Sequence, residues 1–154
     1  MKILSITVIH KFDDNPDLSW LGKYTNKYTR GCIDRKAIGD MGRNEYRYFE
    51  PANEHYRMEN YKKYEKYNNG QLWCIGITAM AICEMKQGNK TITYKECSSG
   101  LWGIESDSGE WYIKEIEQEQ LEELRYELSE LGFSMIELDK ALSNVERREL
   151  DLWE

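Results

Sequence analysis

Apolar and polar positions alternate with the period of a β-strand at five places in the first two thirds of the chain. The predicted strands are residues 2–12, 45–49, 71–85, 91–96 and 101–105. Both alternating faces of 2–12 and 71–85 are largely apolar, which is typical of strands in the interior of a sheet. Ser98, Ser99 and Gly100 separate the last two strands and predict a bulge there.

A helical period replaces the alternation over residues 107–131. The apolar positions of this segment fall on one side of a helix and are Ile113, Ile116, Leu121, Leu124, Leu128 and Leu131. Asp107 followed by Glu110 predicts a capping box at its start, and Gly132 predicts its end. This is the longest helix that the sequence predicts.

A second helix is predicted over residues 53–68, where Tyr56, Tyr61, Tyr64 and Tyr67 share one face. That face is either a tyrosine-rich core face or a stacking surface for a ligand. Residues 22–44 show no sustained period and are predicted to form a long loop. Beyond Gly132 the pattern predicts a short strand or helix over 133–142, and then an exposed helix over 141–152.

These elements predict an α+β fold in a single domain spanning residues 1–154. We expect a mainly antiparallel sheet of four to five strands, packed by the long helix of the C-terminal region and by the shorter tyrosine-rich helix. A chain of 154 residues is long enough to bury a core. It has no apolar run of transmembrane length and no signal-peptide pattern at its start, so we expect a cytoplasmic protein that does not enter a membrane.

The net charge of −7 hides an asymmetry between the two parts of the chain. Residues 105–154 contain 16 acidic and 5 basic side chains, whereas residues 1–104 contain 12 acidic and 16 basic ones. The sequence therefore predicts a mildly basic body followed by a strongly acidic, helical C-terminal third.

Candidate catalytic and metal-binding residues are few. The cysteines are Cys32, Cys74, Cys83 and Cys97, and none forms a Cys-x-x-Cys pair. No spacing resembles a metal site, and no cofactor motif is present, so we expect neither a metal nor a cofactor. A small enzyme using His10 or a cysteine stays an alternative, because either side chain can act in catalysis if a partner lies nearby.

The leading functional hypothesis concerns the acidic side of the long helix. Its predicted binding residues are Glu115, Glu119, Glu122, Glu123 and Tyr126. Such a side is either an ordinary solvated face or a docking surface for a basic protein partner, such as a host nucleic-acid-binding protein. Carboxylates regularly spaced along a helix can imitate a row of phosphates. We therefore predict a non-enzymatic protein-binding function, which can inhibit a host system that acts on nucleic acids.

The alternative binding hypothesis concerns the basic, tyrosine-rich region 23–67. Aromatic rings interspersed with lysine and arginine can stack on the bases of single-stranded nucleic acid and contact its phosphates. The residues predicted for this role are Tyr46, Arg47, Tyr48, Arg57, Lys62 and Lys63.

Three segments of the chain resemble a known group of sequences. They are Asp-Leu-Ser-Trp-Leu-Gly at 17–22, the stretch 39–49 with its Met-Gly-Arg-Asn-Glu-Tyr-Arg-Tyr-Phe core, and Gly-Leu-Trp-Gly-Ile-Glu-Ser-Asp at 100–107. This set resembles a family of small uncharacterised proteins of bacteriophages and mobile genetic elements, over roughly residues 17–133. The resemblance implies a setting in which small acidic proteins often bind and block host enzymes, and it implies no catalytic residues.

Overall fold

The computed structural model describes residues 1–41 and 45–150, which form an α+β fold as predicted. The chain divides into two compact units, of which unit 1 comprises Met1–Asp14 and Cys74–Glu154 and unit 2 comprises Asn15–Trp73. In chain order the elements are β1 Lys2–Asp13, β2 Gly22–Thr25, β3 Ile33–Asp34, β4 Tyr48–Pro51, α1 Arg57–Asn68, β5 Cys74–Gln87, β6 Lys90–Cys97, β7 Leu101–Glu105, α2 Glu110–Glu130, α3 Met135–Leu142 and β8 Val145–Leu150.

Unit 1 is built on a five-stranded sheet in the order β6-β5-β1-β8, with β7 pairing the same β5. All pairs are antiparallel except β1 with β8, which is parallel. The two strands with apolar positions on both faces, β1 and β5, lie in the interior of the sheet as predicted. Between Met80 and Ile77 of β5, the opposing chain from Cys97 to Leu101 carries one extra residue, which confirms the predicted interruption between β6 and β7.

The helices α2 and α3 cover one face of this sheet. Leu124 and Leu128 of α2 pack with Leu138 of α3 against Ile6 of β1 and its neighbours on β5. Nearer the N-terminal end of α2, Ile113 and Ile116 pack against Val8, Ile77 and Ile104. The predicted apolar side of the helix therefore forms the core, except that Leu131 is 44% exposed and the polar Gln120 is buried.

The start of α2 differs from the prediction. The N-cap is Gly109, and no side chain caps the helix, so the predicted capping box of Asp107 and Glu110 is wrong. The amide of Ser108 donates to the carbonyl of Glu105, so Asp107 lies within a turn before the helix begins. A complete capping box occurs instead at α3, between Ser134 and Glu137.

The predicted exposed helix over 141–152 is also wrong. Residues Val145–Leu150 form β8, which pairs with Ile6–Lys11 of β1. Four consecutive charged residues, Glu146 to Glu149, hide any alternating pattern in this strand. Backbone pairing with β1, together with packing of Val145 against the core, accounts for its conformation.

Unit 2 has a sheet of its own, in the order β2-β4-β3, with α1 packed against it. The predicted loop 22–44 contains the short strands β2 and β3, and its residues 42–44 lie outside the described residues. The core consists of Ile33, Phe49 and Tyr61, with Tyr24 and Tyr64 packed on it. Tyr61 and Tyr64 of the tyrosine-rich helix therefore supply a core face, whereas Tyr56 precedes α1 and is exposed. The helix packs on a second sheet that was not predicted.

No helix within residues 1–41 and 45–150 is both long enough and apolar enough to span a membrane.

Candidate functional site

The face of α2 that points away from the core combines carboxylates with aromatic rings. At 3.6 residues per turn, positions 111, 115, 119, 122 and 126 fall within an arc of about 80°. We call Glu115, Glu119 and Glu122 the acidic stripe, and all three are exposed. Trp111, with 74% of its surface exposed, and Tyr126, with 66%, stand at its two ends. The helical rise separates these two residues by about 22 Å along the axis.

No side chain of the described residues neutralises the charge of the acidic stripe. Among the described residues, none of its three carboxylates forms a hydrogen bond or ion pair. The nearest cation toward the C-terminal end of α2 is Arg125. Its Nη2 forms an ion pair with Oδ1 of Asp139 at 2.7 Å. Unit 1 as a whole carries 20 acidic and 10 basic side chains, so the field around the stripe is strongly negative.

Glu123, the remaining predicted carboxylate, has a different role. Its two oxygens accept hydrogen bonds from the amide and the hydroxyl of Ser99, each at 3.0 Å. Glu123 therefore fixes the segment between β6 and β7 to α2. On the outward face of α2 the structure brings together Glu115, Glu119 and Glu122, with Tyr126 beside them. Sequence reasoning left Trp111 out of the site, although its position four residues before Glu115 places it on the same face.

His10 is not open to a substrate. It is 7% exposed, and its Nε2 lies 3.1 Å from the Glu117 carboxylate. Two surface cavities of unit 1, of about 390 and 350 Å³, have neither His10 nor a cysteine in their lining. No group of three or more potential metal ligands occurs among the described residues.

The four thiols differ in exposure. Cys74 and Cys83 are buried, Cys32 is half-buried and Cys97 is exposed. Burial raises the pKa of the Cys83 thiol, which disfavours the reactive thiolate.

The six residues predicted for nucleic-acid binding do not form one free basic surface. Arg47 makes two hydrogen bonds to the carboxylate of Asp34, at 3.2 and 3.0 Å, which neutralise it. The ring of Tyr46 stacks on Tyr24, next to the core. Tyr48 is half-buried, with its ring against Tyr28.

The other three of those residues lie on α1. Arg57 and Lys62 are exposed, and the ammonium group of Lys63 lies 5.2 Å from the ring centre of Trp20.

A buried arginine, which the sequence did not single out, organises unit 2. Arg35 is 1% exposed and donates to the backbone carbonyls of Tyr46 and Asp40. It pairs with Glu65 at 3.2 Å and lies 4.5 Å from the ring centre of Tyr24. The chain places this guanidinium where it satisfies backbone groups of the 34–47 segment.

Two tyrosines around this arginine are held in their neutral form. Burial, and a hydrogen bond donated to Asp40, raise the pKa of Tyr61 to about 12. Burial and the hydrogen bond to Glu65 also raise the pKa of Tyr24. Both hydroxyls therefore act as hydrogen-bond donors inside unit 2.

Comparison of this chain with models of protein families, with curated proteins and with solved structures found no match.

Proposed function

We propose that this protein is a non-enzymatic binding protein whose acidic stripe engages a basic protein partner. The observation that carries the proposal is that Glu115, Glu119 and Glu122 share one exposed helix face and have no partner among the described residues. The carboxylates inside the fold behave differently, since Glu117 of the same helix lies 3.1 Å from Nε2 of His10 and Glu123 accepts hydrogen bonds from Ser99. Within the described part of the chain, the three carboxylates of the acidic stripe form no bond that would hold α2 in the fold, so the fold does not account for their presence.

The spacing of the stripe fits a basic partner of repeating charge. Carboxylates separated by three or four positions on a helix lie about 5–6 Å apart between Cβ atoms. A helix of the partner with lysine or arginine at similar intervals can meet them one by one. Because unit 1 has a net negative charge, the attraction extends beyond contact and accelerates encounter at low ionic strength.

Trp111 and Tyr126 give the surface more than charge. Exposed carboxylates alone form weak, salt-screened pairs. Aromatic rings contribute apolar area and cation–π attraction, and residues of these types dominate the binding energy of many interfaces. We therefore assign the anchoring contacts of the interface to these two rings.

The chemistry of the partner follows from the chemistry of the stripe. A basic surface that normally contacts nucleic-acid phosphates also fits a row of carboxylates. We propose a host nucleic-acid-binding protein as the partner, met in the cytoplasm during infection or transfer of a mobile element. The protein would inhibit that partner by occupying its nucleic-acid-binding surface.

The test compares three forms of the full chain as bait in a bacterial lysate, with captured proteins identified by mass spectrometry. They are the wild type, the reversal variant Glu115→Lys, Glu119→Lys and Glu122→Lys, and the control Glu45→Lys, Glu54→Lys and Glu59→Lys. The control residues are exposed acids of unit 2, and their reversal changes the net charge equally. The wild type and the control should capture the same basic protein, and the reversal variant should lose it.

Duplex DNA added as a competitor, followed by a titration with salt, completes the test. Displacement by DNA and weakening with salt are expected if the partner uses a phosphate-binding surface. Equal capture by the reversal variant would contradict the proposal.

A further inference from the structure

Three polar side chains meet in unit 1 where β1, α2 and β8 come together. Oε2 of Glu117 lies 3.1 Å from Nε2 of His10 and also 3.1 Å from Nε of Arg147. The two nitrogens lie 3.4 Å from each other. The side chain of His10 is only 8% exposed and that of Glu117 is 14% exposed. We call this arrangement the polar triangle.

Whether Nε2 of His10 carries a proton decides which bonds of the polar triangle can form, and among the forms of His10 only the neutral Nδ1–H tautomer leaves Nε2 free to accept. Nε2 without a proton accepts from the Nε–H of Arg147, whereas Nε2 with a proton donates to Glu117, and it cannot do both. In its imidazolium form His10 is a second cation beside the guanidinium of Arg147. Both cations then pair with the same oxygen, Oε2 of Glu117. Arg147 has an alternative partner, because Oε1 of Glu110 lies 3.6 Å from its Nη1.

The sheet register and the lining of one cavity identify further groups on the elements around the polar triangle. On β8, Glu149 is the residue in register with His10, and it is exposed. On β5, the residue in register is Ile77, which has no charge. On α2, Lys114 lines the cavity of about 350 Å³ to which Glu117 and Arg147 also contribute.

The strand that carries Arg147 has a paired neighbour on one side. In the described part of the chain, β8 is an edge strand that pairs only with β1. The side chain of Arg147 links this strand to α2 through Glu117 and Glu110. A change at Arg147 therefore acts on how β8 is fastened to the helix layer.

We propose that the polar triangle is a pH-sensitive clasp, in which protonation of His10 moves Arg147 from the triangle toward Glu110 and changes the packing of β8 on α2. Histidine is the side chain whose charge ordinarily changes between pH 5 and 8. The clasp thus makes the edge of the sheet respond to the protonation state of His10.

The test is an NMR titration of the full chain, labelled with ¹⁵N, from pH 8 to pH 5. The chain has two histidines, and the exposed His55 of unit 2 is a matched control. The Nε signal of Arg147 and the backbone amides of Glu146, Arg147 and Arg148 should shift with the same midpoint as the His10 ring. The variant His55→Gln should keep this response, and His10→Gln should lose it.

The titration of the wild type decides the proposal even if His10→Gln does not fold. Signals of Arg147 and β8 that stay constant while His10 titrates would overturn it. A His10 ring that does not titrate across the range would overturn it as well, and so would a β8 response that persists in His10→Gln.

Discussion

Oε1 of Gln120 accepts a hydrogen bond from the hydroxyl of Ser98 at 2.7 Å, and thereby joins the centre of α2 to the interruption between β6 and β7. The same oxygen accepts from the amide of Gly100 at 2.9 Å. Gln120 is 7% exposed and Ser98 is 6% exposed, so water does not replace this acceptor. The polar residue within the apolar side of α2 is thus explained by donors that the sheet leaves unpaired there.

Replacement of Gln120 by leucine should therefore lower the free energy of unfolding by about 2 kcal/mol, because the buried hydroxyl of Ser98 and the half-buried amide of Gly100 lose this acceptor. Urea denaturation measures the change. The matched control is Gln118→Leu on the exposed side of the same helix. We expect that control to stay within about 0.5 kcal/mol of the wild type. Equal effects of the two substitutions would contradict the role of the buried acceptor.

Glu127 should make stability depend on pH. Burial, followed by the charges of Glu123 and Glu96, raises the pKa of Glu127 above the ordinary value of 4.5. Its Oε2 is buried without a hydrogen-bond partner in the described structure. The folded state therefore holds this proton more tightly than the unfolded chain does. The corresponding stability is present below pH 4.5 and is lost as the pH rises through the raised pKa.

The variant Glu127→Gln tests this dependence, because it removes the charge and keeps the shape. Its melting temperature at pH 8 should exceed that of the wild type by a few degrees, and the difference should shrink as the pH falls below 4.5. Glu130→Gln, at an exposed position of the same helix, is the control and should show no such trend. A gain of equal size at pH 8 and pH 4 would argue against the burial of a charge as its cause.

Removal of the buried guanidinium of Arg35 should destabilise unit 2. Arg35→Met removes the cation that pairs with Glu65, which keeps the hydroxyl of Tyr24 as a donor, and takes the guanidinium donor from the carbonyls of Tyr46 and Asp40. Loss of one partner of a buried ion pair typically costs about 3–5 kcal/mol. Amide hydrogen exchange should show lost protection in β4 and α1, while the amides of β5 keep theirs.

Arg47→Met is the control for that substitution. Arg47 also pairs with an acid, Asp34, but it is exposed, so its loss should cost far less stability than the loss of Arg35. Exchange that increases equally in the two variants would show that burial of Arg35 is not what matters.

The elements predictable from sequence are those whose apolar residues follow the period of a strand or of a helix. Strand β1 and the apolar side of α2 have such patterns, and both were predicted at nearly their observed bounds. Strand β8 was missed because its four central residues are charged and its conformation depends on β1, which is distant in sequence. Strand β3 has two residues, too few to show any period.

The candidate surface was predictable in part for a similar reason. Helical geometry alone places Glu115, Glu119 and Glu122 on one face. It does not reveal that the nearby Glu123 is taken by Ser99, because that contact depends on a bulge in a neighbouring strand. The buried position of Arg35 was hidden for the same reason, since its partners at 40, 46 and 65 converge only in the folded unit.

The position of unit 2 within the chain has a consequence for the order of folding. Asp13 and Cys74 are paired neighbours at one end of the β1–β5 ladder, and all of unit 2 lies between them in sequence. For an unfolded intervening segment, closing that ladder carries the entropy cost of a long loop. A segment that has already collapsed into its own core holds its ends close together and lowers this cost. We therefore expect that prior folding of unit 2 increases the rate at which β1 and β5 of unit 1 pair.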